Sequence, residues 1–458
     1  MTGDASITVI ENCAIATMDD AGTEHDSGHI VLEGNAITAV GAGPAPRRNG
    51  ARRIDASGRL ATPGLINCHH HLYQWLTRGL AQQANLFEWL QALYPVWAHV
   101  DQAGESAAAR AGLAALALSG CSTTTDHYYV WPGGAGDLLG AEIEAAGRIG
   151  MRFHPCRGSM DLGQSDGGLP PDDIVEDTDA ILSATESAID AYHDDSFDSM
   201  LRIAIAPCSP FSVTEALMTE SASLARDRNV RLHTHLAETM EEDEFCRERF
   251  GVRPVEYLDD LGWLGEDVWL AHCVHLTDDD VKRLGVTGTG VAHCPSSNAR
   301  LGAGIARVPE LTAEGVAVGL GVDGSASNEA GELRGEMRQA LALARLAGGP
   351  RAMTARGALA LATTQGARCL GRADAIGSLE AGKLADVCLW RVDDLWHSGI
   401  EDPIAALVLG PPRRVDTLIV NGEVVVEGSV LARDDESELT AELAAACGRL
   451  RERAGERP

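Results

Sequence analysis

Short apolar runs that end in polar or reactive residues recur along the middle of the chain, separated by Ala- and Leu-rich stretches such as AAARAGLAALAL (107–118). The runs are LINCHHH (65–71), STTTDHY (122–128), RFHPCR (152–157), RIAIAPCS (202–209), RLHTHLAE (231–238), WLAHCVHL (269–276), GVAHCPSSN (290–298) and VAVGLGVDG (316–324). Strand-like runs alternating with helix-compatible segments predict βα units and a parallel sheet. Eight such units with their chemistry at the strand ends describe an α/β protein, a (β/α)8 TIM barrel whose active site is built at that face. The barrel is expected over residues 61–375. On either side the pattern is β: SITVIENCAIAT (6–17) and HIVLEGNAITAVG (29–41), turned at Gly34-Asn35, then GSLEAGKLADVCLW (377–390) and DTLIVNGEVVVEG (416–428), turned at Asn421-Gly422. Residues 1–60 and 376–458 are therefore expected to join into a small β-sandwich domain, followed by a terminal helix over 436–452.

Composition narrows the function classes. Acids outnumber bases 67 to 37, a net charge of −30, which argues against a phosphate-backbone partner and for a solvated acidic surface. The 11 cysteines are scattered without a Cys-x-x-Cys pair, the pattern of reduced, buried thiols. No basic segment precedes an apolar run at the start, and no stretch is apolar over ~18 residues. A cytoplasmic protein with no nucleic-acid or membrane partner is the expectation.

On a strand, successive side chains point to opposite faces, so His69 and His71 share a side and His70 points away. Two imidazoles leave a metal site incomplete, because zinc takes about four ligands. The fifth run offers His233 and His235, which parity cannot tell apart. The sixth offers His272, and the eighth places Asp323 at the end of an apolar strand. Together with Glu238 these residues suit metal-assisted hydrolysis, which needs a cation to acidify water, a base to take its proton and an acid for the leaving group. Tyr128, Tyr129 and Trp131, in a barrel loop, could stack on a flat heterocycle. His127, His154, His275 and His293 read as structural or supporting histidines, and Cys68, Cys273 and Cys294 as packing. GLGVDG (319–324) matches Gly-x-Gly-x-x-Gly but closes a barrel run and opens no βαβ unit, so it is not read as a dinucleotide site.

The stretches PGLINCHHH (63–71), HTHLAE (233–238), AHCVHL (271–276) and GVDGSASN (321–328) resemble the amidohydrolase superfamily, in its mononuclear aminohydrolase (deaminase) branch. The resemblance implies that His69, His71, His235 and Asp323 bind one divalent metal, zinc or alternatively iron. It implies that Glu238 shuttles protons, and that His272 together with Asp323 aims and deprotonates the attacking water. The family pattern His-x-x-Glu selects His235 over His233. Binuclear relatives often bridge their metals with a lysine at the end of strand 4, and this chain has only Lys282 and Lys383, neither near that strand.

HHHLYQ (69–74), TRG (77–79), DHYYVWP (126–132), APCSPFSVT (206–214) and LGPPRRVD (409–416) look most like the 8-oxoguanine deaminases, a group close to the s-triazine hydrolases. That likeness implies that Gln74 reads a purine edge, with Tyr129 and Trp131 as further substrate contacts. It implies conversion of 8-oxoguanine to urate and ammonia, with isocytosine-like rings as smaller substrates. An s-triazine chloro- or aminohydrolase and a guanine deaminase are the alternatives on the same scaffold, and a homo-oligomer is expected.

Overall fold

The computed structural model describes residues 6–455. Eight parallel strands close into a barrel: β1 Leu65–Asn67, β2 Cys121–Tyr128, β3 Arg152–Ser159, β4 Ala204–Pro207, β5 Arg231–Leu236, β6 Val268–His272, β7 Gly290–His293 and β8 Val318–Leu320. Each pairs with the next in chain order and β8 returns to β1 at Leu320–Asn67. All eight runs read from the hydropathy pattern are barrel strands. Connecting helices begin where the local chemistry favours them: Asp101 caps Gln102–Leu118 by accepting the Gly104 N–H, and Thr277 caps Asp278–Thr287 behind three first-turn aspartates. Their apolar faces join the strands in one extended core.

β1 is short. It stops at Asn67, ahead of the histidines, and the chain then pairs His70–His71 in parallel with Asp323–Gly324 beyond the end of β8. Asn67 fixes this junction, its Oδ1 accepting the Val322 N–H at 2.9 Å and its Nδ2 donating to Thr124 Oγ1 at 2.9 Å. The mouths of the first and last strands are thereby tied together, above the layer that fills the barrel.

The terminal segments form one hydrogen-bonded nine-stranded sheet. Arg59–Pro63 pairs antiparallel with Val387–Arg391, which joins the N-terminal strands to the C-terminal ones. The sheet has an apolar cluster of its own, built on Ile10, Ile15, Ile30, Leu32, Val387, Leu389 and Ile419. Asn421 and Gly422 both take the left-handed backbone (φ 51° and 83°) that a tight hairpin requires. The last helix, Glu436–Arg453, packs through Ala446 and Leu450 against Trp75 and Leu76. Among the described residues no cysteine is in a disulfide, and no helix is long and apolar enough to cross a membrane.

Candidate active site

Strand ends deliver the polar side chains to one point, and several do so on strained backbone. Ala237, His272, Cys273 and Asp323 all have positive φ (52°, 72°, 49° and 61°), a region that non-glycine residues rarely adopt and that clusters at functional sites. His69 sits at the break after β1, so simple strand parity does not hold there. Its ring nevertheless meets that of His71 edge-on at 4.7 Å and that of His235 at 4.8 Å. Asp323 Oδ1 lies 3.3 Å from Nε2 of His69 and 3.3 Å from Nε2 of His71, and the His71 and His235 Nε2 atoms are 3.1 Å apart. His70 is buried without joining this group; its Nδ1 accepts its neighbour's N–H.

The outer nitrogens decide what the inner ones can do. His71 Nδ1 lies 2.7 Å from the His127 carbonyl and His235 Nδ1 2.7 Å from the Cys208 carbonyl; a carbonyl only accepts, so both Nδ1 atoms carry protons. His233 Nδ1 donates to the Trp269 carbonyl at 2.8 Å, which leaves its Nε2 to accept from His69 Nδ1, also at 2.8 Å. Burial pushes His69 down to about 3 against the opposing pull of Asp323, and burial with the neighbouring imidazoles pushes His235 well below the usual histidine range. Three Nε2 lone pairs and a carboxylate oxygen therefore face one another and call for positive charge between them. Ligands on a tetrahedral ion at 2.0–2.1 Å are separated by about 3.3 Å, the spacing found here. The residues present fit a divalent metal, and His69, His71 and Asp323 form a buried group able to hold one.

Glu238 follows β5 and is buried. Its Oε2 stands 3.5 Å from His272 Nε2, and its Oε1 has no partner. Burial, reinforced by the charge of Asp323, holds its carboxyl well above the ordinary glutamate range, which favours its protonated form. Glu242 braces the turn, accepting the N–H groups of Ala237 at 2.7 Å and Glu238 at 3.0 Å.

These groups open onto a narrow cavity at the strand ends. Gln74 lines it, with a buried Oε1 that has no partner, and so does Tyr129, whose ring stands edge-on to His71 at 5.2 Å. Trp131 does not. Two residues past Tyr129 the chain has crossed the rim, where the Trp131 indole donates to the Gly158 carbonyl at 2.9 Å under the Arg157 guanidinium, 4.1 Å from its centroid. Tyr128 is likewise packed away, against Tyr73. Trp131→Phe is accordingly expected to leave KM unchanged and to lower Tm by a few degrees at most, read by steady-state kinetics and a thermal melt.

Sequence reasoning missed the apolar wall of Leu86, Trp89, Leu90 and Tyr94, contributed by the helix Leu86–Trp97. Its spacing is that of any amphipathic helix, and nothing local marks which face meets the pocket. His233, which strand parity makes the equal of His235, lies behind His69. Cys294 was read as packing and is indeed buried, though it stands close enough to His69 and His272 to be grouped with them.

The chain matches the model of the Amidohydrolase family over residues 60–425. It is 47% identical over 416 residues to an 8-oxoguanine deaminase of Pseudomonas aeruginosa, covering 90% of this chain and 92% of that protein. It is 36% identical over 456 residues to a hydroxydechloroatrazine ethylaminohydrolase of a Pseudomonas species, covering 96% and 91%. Among solved structures it superposes with a TM-score of 0.92 on the zinc complex of the atrazine chlorohydrolase TrzN from Arthrobacter aurescens, at 34% identity, covering 96% of this chain and 100% of that one.

Proposed function

This chain belongs to the amidohydrolase family, and from that premise we propose that it hydrolytically deaminates an oxidised purine, converting 8-oxoguanine to urate and ammonia. The observation that carries the substrate assignment is the 47% identity to an 8-oxoguanine deaminase across nine-tenths of the chain. The pocket supports it: a small cavity with an apolar wall, one unpartnered amide oxygen and a carboxyl biased toward its protonated form beside an inward-facing set of imidazoles.

In this reading His69, His71, His235 and Asp323 hold one divalent ion. We assign zinc, with iron as the alternative, since three imidazoles and a carboxylate accept either. Such an ion, when bound, lowers the pKa of water toward ~7 and so supplies a nucleophile at neutral pH. Asp323, through its Oδ2, and His272, through Nε2, stand 3.9 Å apart, where both can receive a proton from water attacking the carbon that bears the exocyclic amine. Glu238 protonates the neighbouring ring nitrogen, takes up the next proton and delivers it to the departing amine, so that ammonia leaves and a carbonyl remains. Gln74 presents its amide to the purine edge, where an amide matches both a donor and an acceptor. The proposal includes a homo-oligomer in the cytoplasm, where unpaired thiols stay reduced.

Metal analysis coupled to ammonia release from 8-oxoguanine, guanine, isocytosine and a chloro-triazine tests this reading. Turnover should be fastest with 8-oxoguanine. A second reading, an s-triazine hydrolase, is favoured by the 36% relative and the TrzN superposition; chloride or alkylamine release from a triazine, without ammonia from 8-oxoguanine, would establish it instead.

Gln74→Leu is expected to raise KM for the purine roughly 5- to 150-fold, the value of about 1–3 kcal/mol for one buried hydrogen bond. A Cβ at Gly324 would fall 1.8 Å from Gln74 Oε1, so Gly324→Ala should reproduce that KM defect without touching the substrate itself. Equal KM for both variants and the unaltered enzyme would remove Gln74 from recognition.

A further inference from the structure

β7 contributes no site residue in the reading above. Beyond it the chain enters the helix Pro295–Arg300, and none of those six residues lines the pocket. Two adjacent side chains of this helix, both fully buried, nevertheless reach the two proton-accepting groups. Asn298 Oδ1 lies 2.9 Å from His272 Nδ1. Ser297 Oγ donates to Ser327 Oγ at 2.9 Å, and Ser327 Oγ reaches Asp323 Oδ2 at 3.3 Å.

We propose that Asn298 is the positioning residue of the reaction, fixing His272 as the Nδ1–H tautomer with its Nε2 lone pair turned to the pocket, while Ser297 aims Asp323 through Ser327. The inference rests on the deaminase reading for its consequence, though not for its geometry.

The physical case has three parts. His272 sits on left-handed backbone (φ 72°), a conformation that persists only where surrounding contacts over-determine it. The Asn298 backbone is pinned at both ends, its N–H bonded to the Cys294 carbonyl at 3.0 Å and its carbonyl to the Ala303 N–H at 2.8 Å, which fixes where the side chain starts. An imidazole that donates from Nδ1 has its acceptor at Nε2, the atom 3.5 Å from Glu238 and 3.9 Å from Asp323. Accepting the proton of the attacking water requires this tautomer. The opposite one would place a hydrogen where the proton has to go.

The tautomer can be read without turnover. In zinc-loaded protein labelled with 15N-histidine, signals absent from His272→Gln identify His272, and its ring is expected to be protonated at Nδ1. Asn298→Ala should lose that single tautomer and lower kcat by roughly 10- to 100-fold, with KM and zinc content held. Asn298→Asp, which keeps the acceptor oxygen in the same volume, should restore both the tautomer and most of kcat; it is the deciding variant if Asn298→Ala does not fold. An Nε2-protonated His272 in the unaltered protein or in Asn298→Asp, or an unchanged kcat in Asn298→Ala, would overturn the proposal. Failure of the deaminase reading shows separately, as no ammonia from the unaltered enzyme while the tautomer result stands.

Discussion

Glu238→Gln is expected to lower kcat by about 10²- to 10⁴-fold, the range that a single positioned acid–base group contributes, with metal content and KM close to those of the unaltered enzyme. Glutamine keeps the volume of the side chain and can still donate a hydrogen bond to a ring nitrogen. It cannot transfer the proton. Burial and the nearby Asp323 charge favour the neutral form of the unaltered carboxyl, so a neutral amide of the same volume suits the same surroundings. Its Oε1 has no partner to lose, and the bonds that brace the turn run from the backbone N–H of Glu238 to Glu242 and do not involve the Glu238 side chain. Tm should therefore hold or rise slightly. Ammonia release at saturating substrate, metal analysis and a thermal melt on the same preparation check the three parts together. A kcat within tenfold of the unaltered enzyme would move the proton-transfer role to another group.

Hydropathy made the barrel legible because each strand carries its own signature: a short buried run whose polar end is the catalytic face. The same holds for the Asn421-Gly422 hairpin, where a local backbone requirement is written in two residues. What could not be read was set by contacts distant in sequence. Parity treats His69 to His71 as one strand, but β1 ends at Asn67, and His70–His71 instead pair with Asp323–Gly324 some 250 residues later. Parity likewise left His233 and His235 equal. Both rings donate an Nδ1–H to a carbonyl, of Trp269 and Cys208, and what distinguishes them is Nε2: that of His233 accepts from His69 Nδ1, whereas that of His235 faces His71 Nε2 at 3.1 Å. Trp131 looked like a stacking residue because loop aromatics often are, yet Arg157 from the next strand covers it. The supporting helix after β7 had no signature, since Ser297 and Asn298 are ordinary helix-start residues until His272 and Ser327 are brought to them.

Removal of the metal should have the second large effect, and the variants around it separate ligands from the residues that orient them. Chelation of the unaltered enzyme is expected to reduce activity to background and to lower Tm, because three Nε2 lone pairs and the Asp323 carboxylate are then left facing one another. Binding energy is lost with the ion: a ligand present at 1,000 times its Kd stabilises the folded state by about 4.1 kcal/mol. Zinc added back should restore both. In His71→Ala and His235→Ala the set falls from four donors to three, so zinc at the same concentration should restore neither activity nor Tm. His233→Ala should behave differently. Its ring only accepts the His69 Nδ1 proton and fixes that ring's direction, so zinc affinity should fall by roughly 10- to 100-fold and excess zinc should recover activity. Zinc titrations followed by activity and by Tm distinguish these cases. If His233→Ala loses zinc as completely as His235→Ala, the ligand set must be redrawn with His233 inside it; if His235→Ala binds zinc as tightly as the unaltered enzyme, His235 leaves the set.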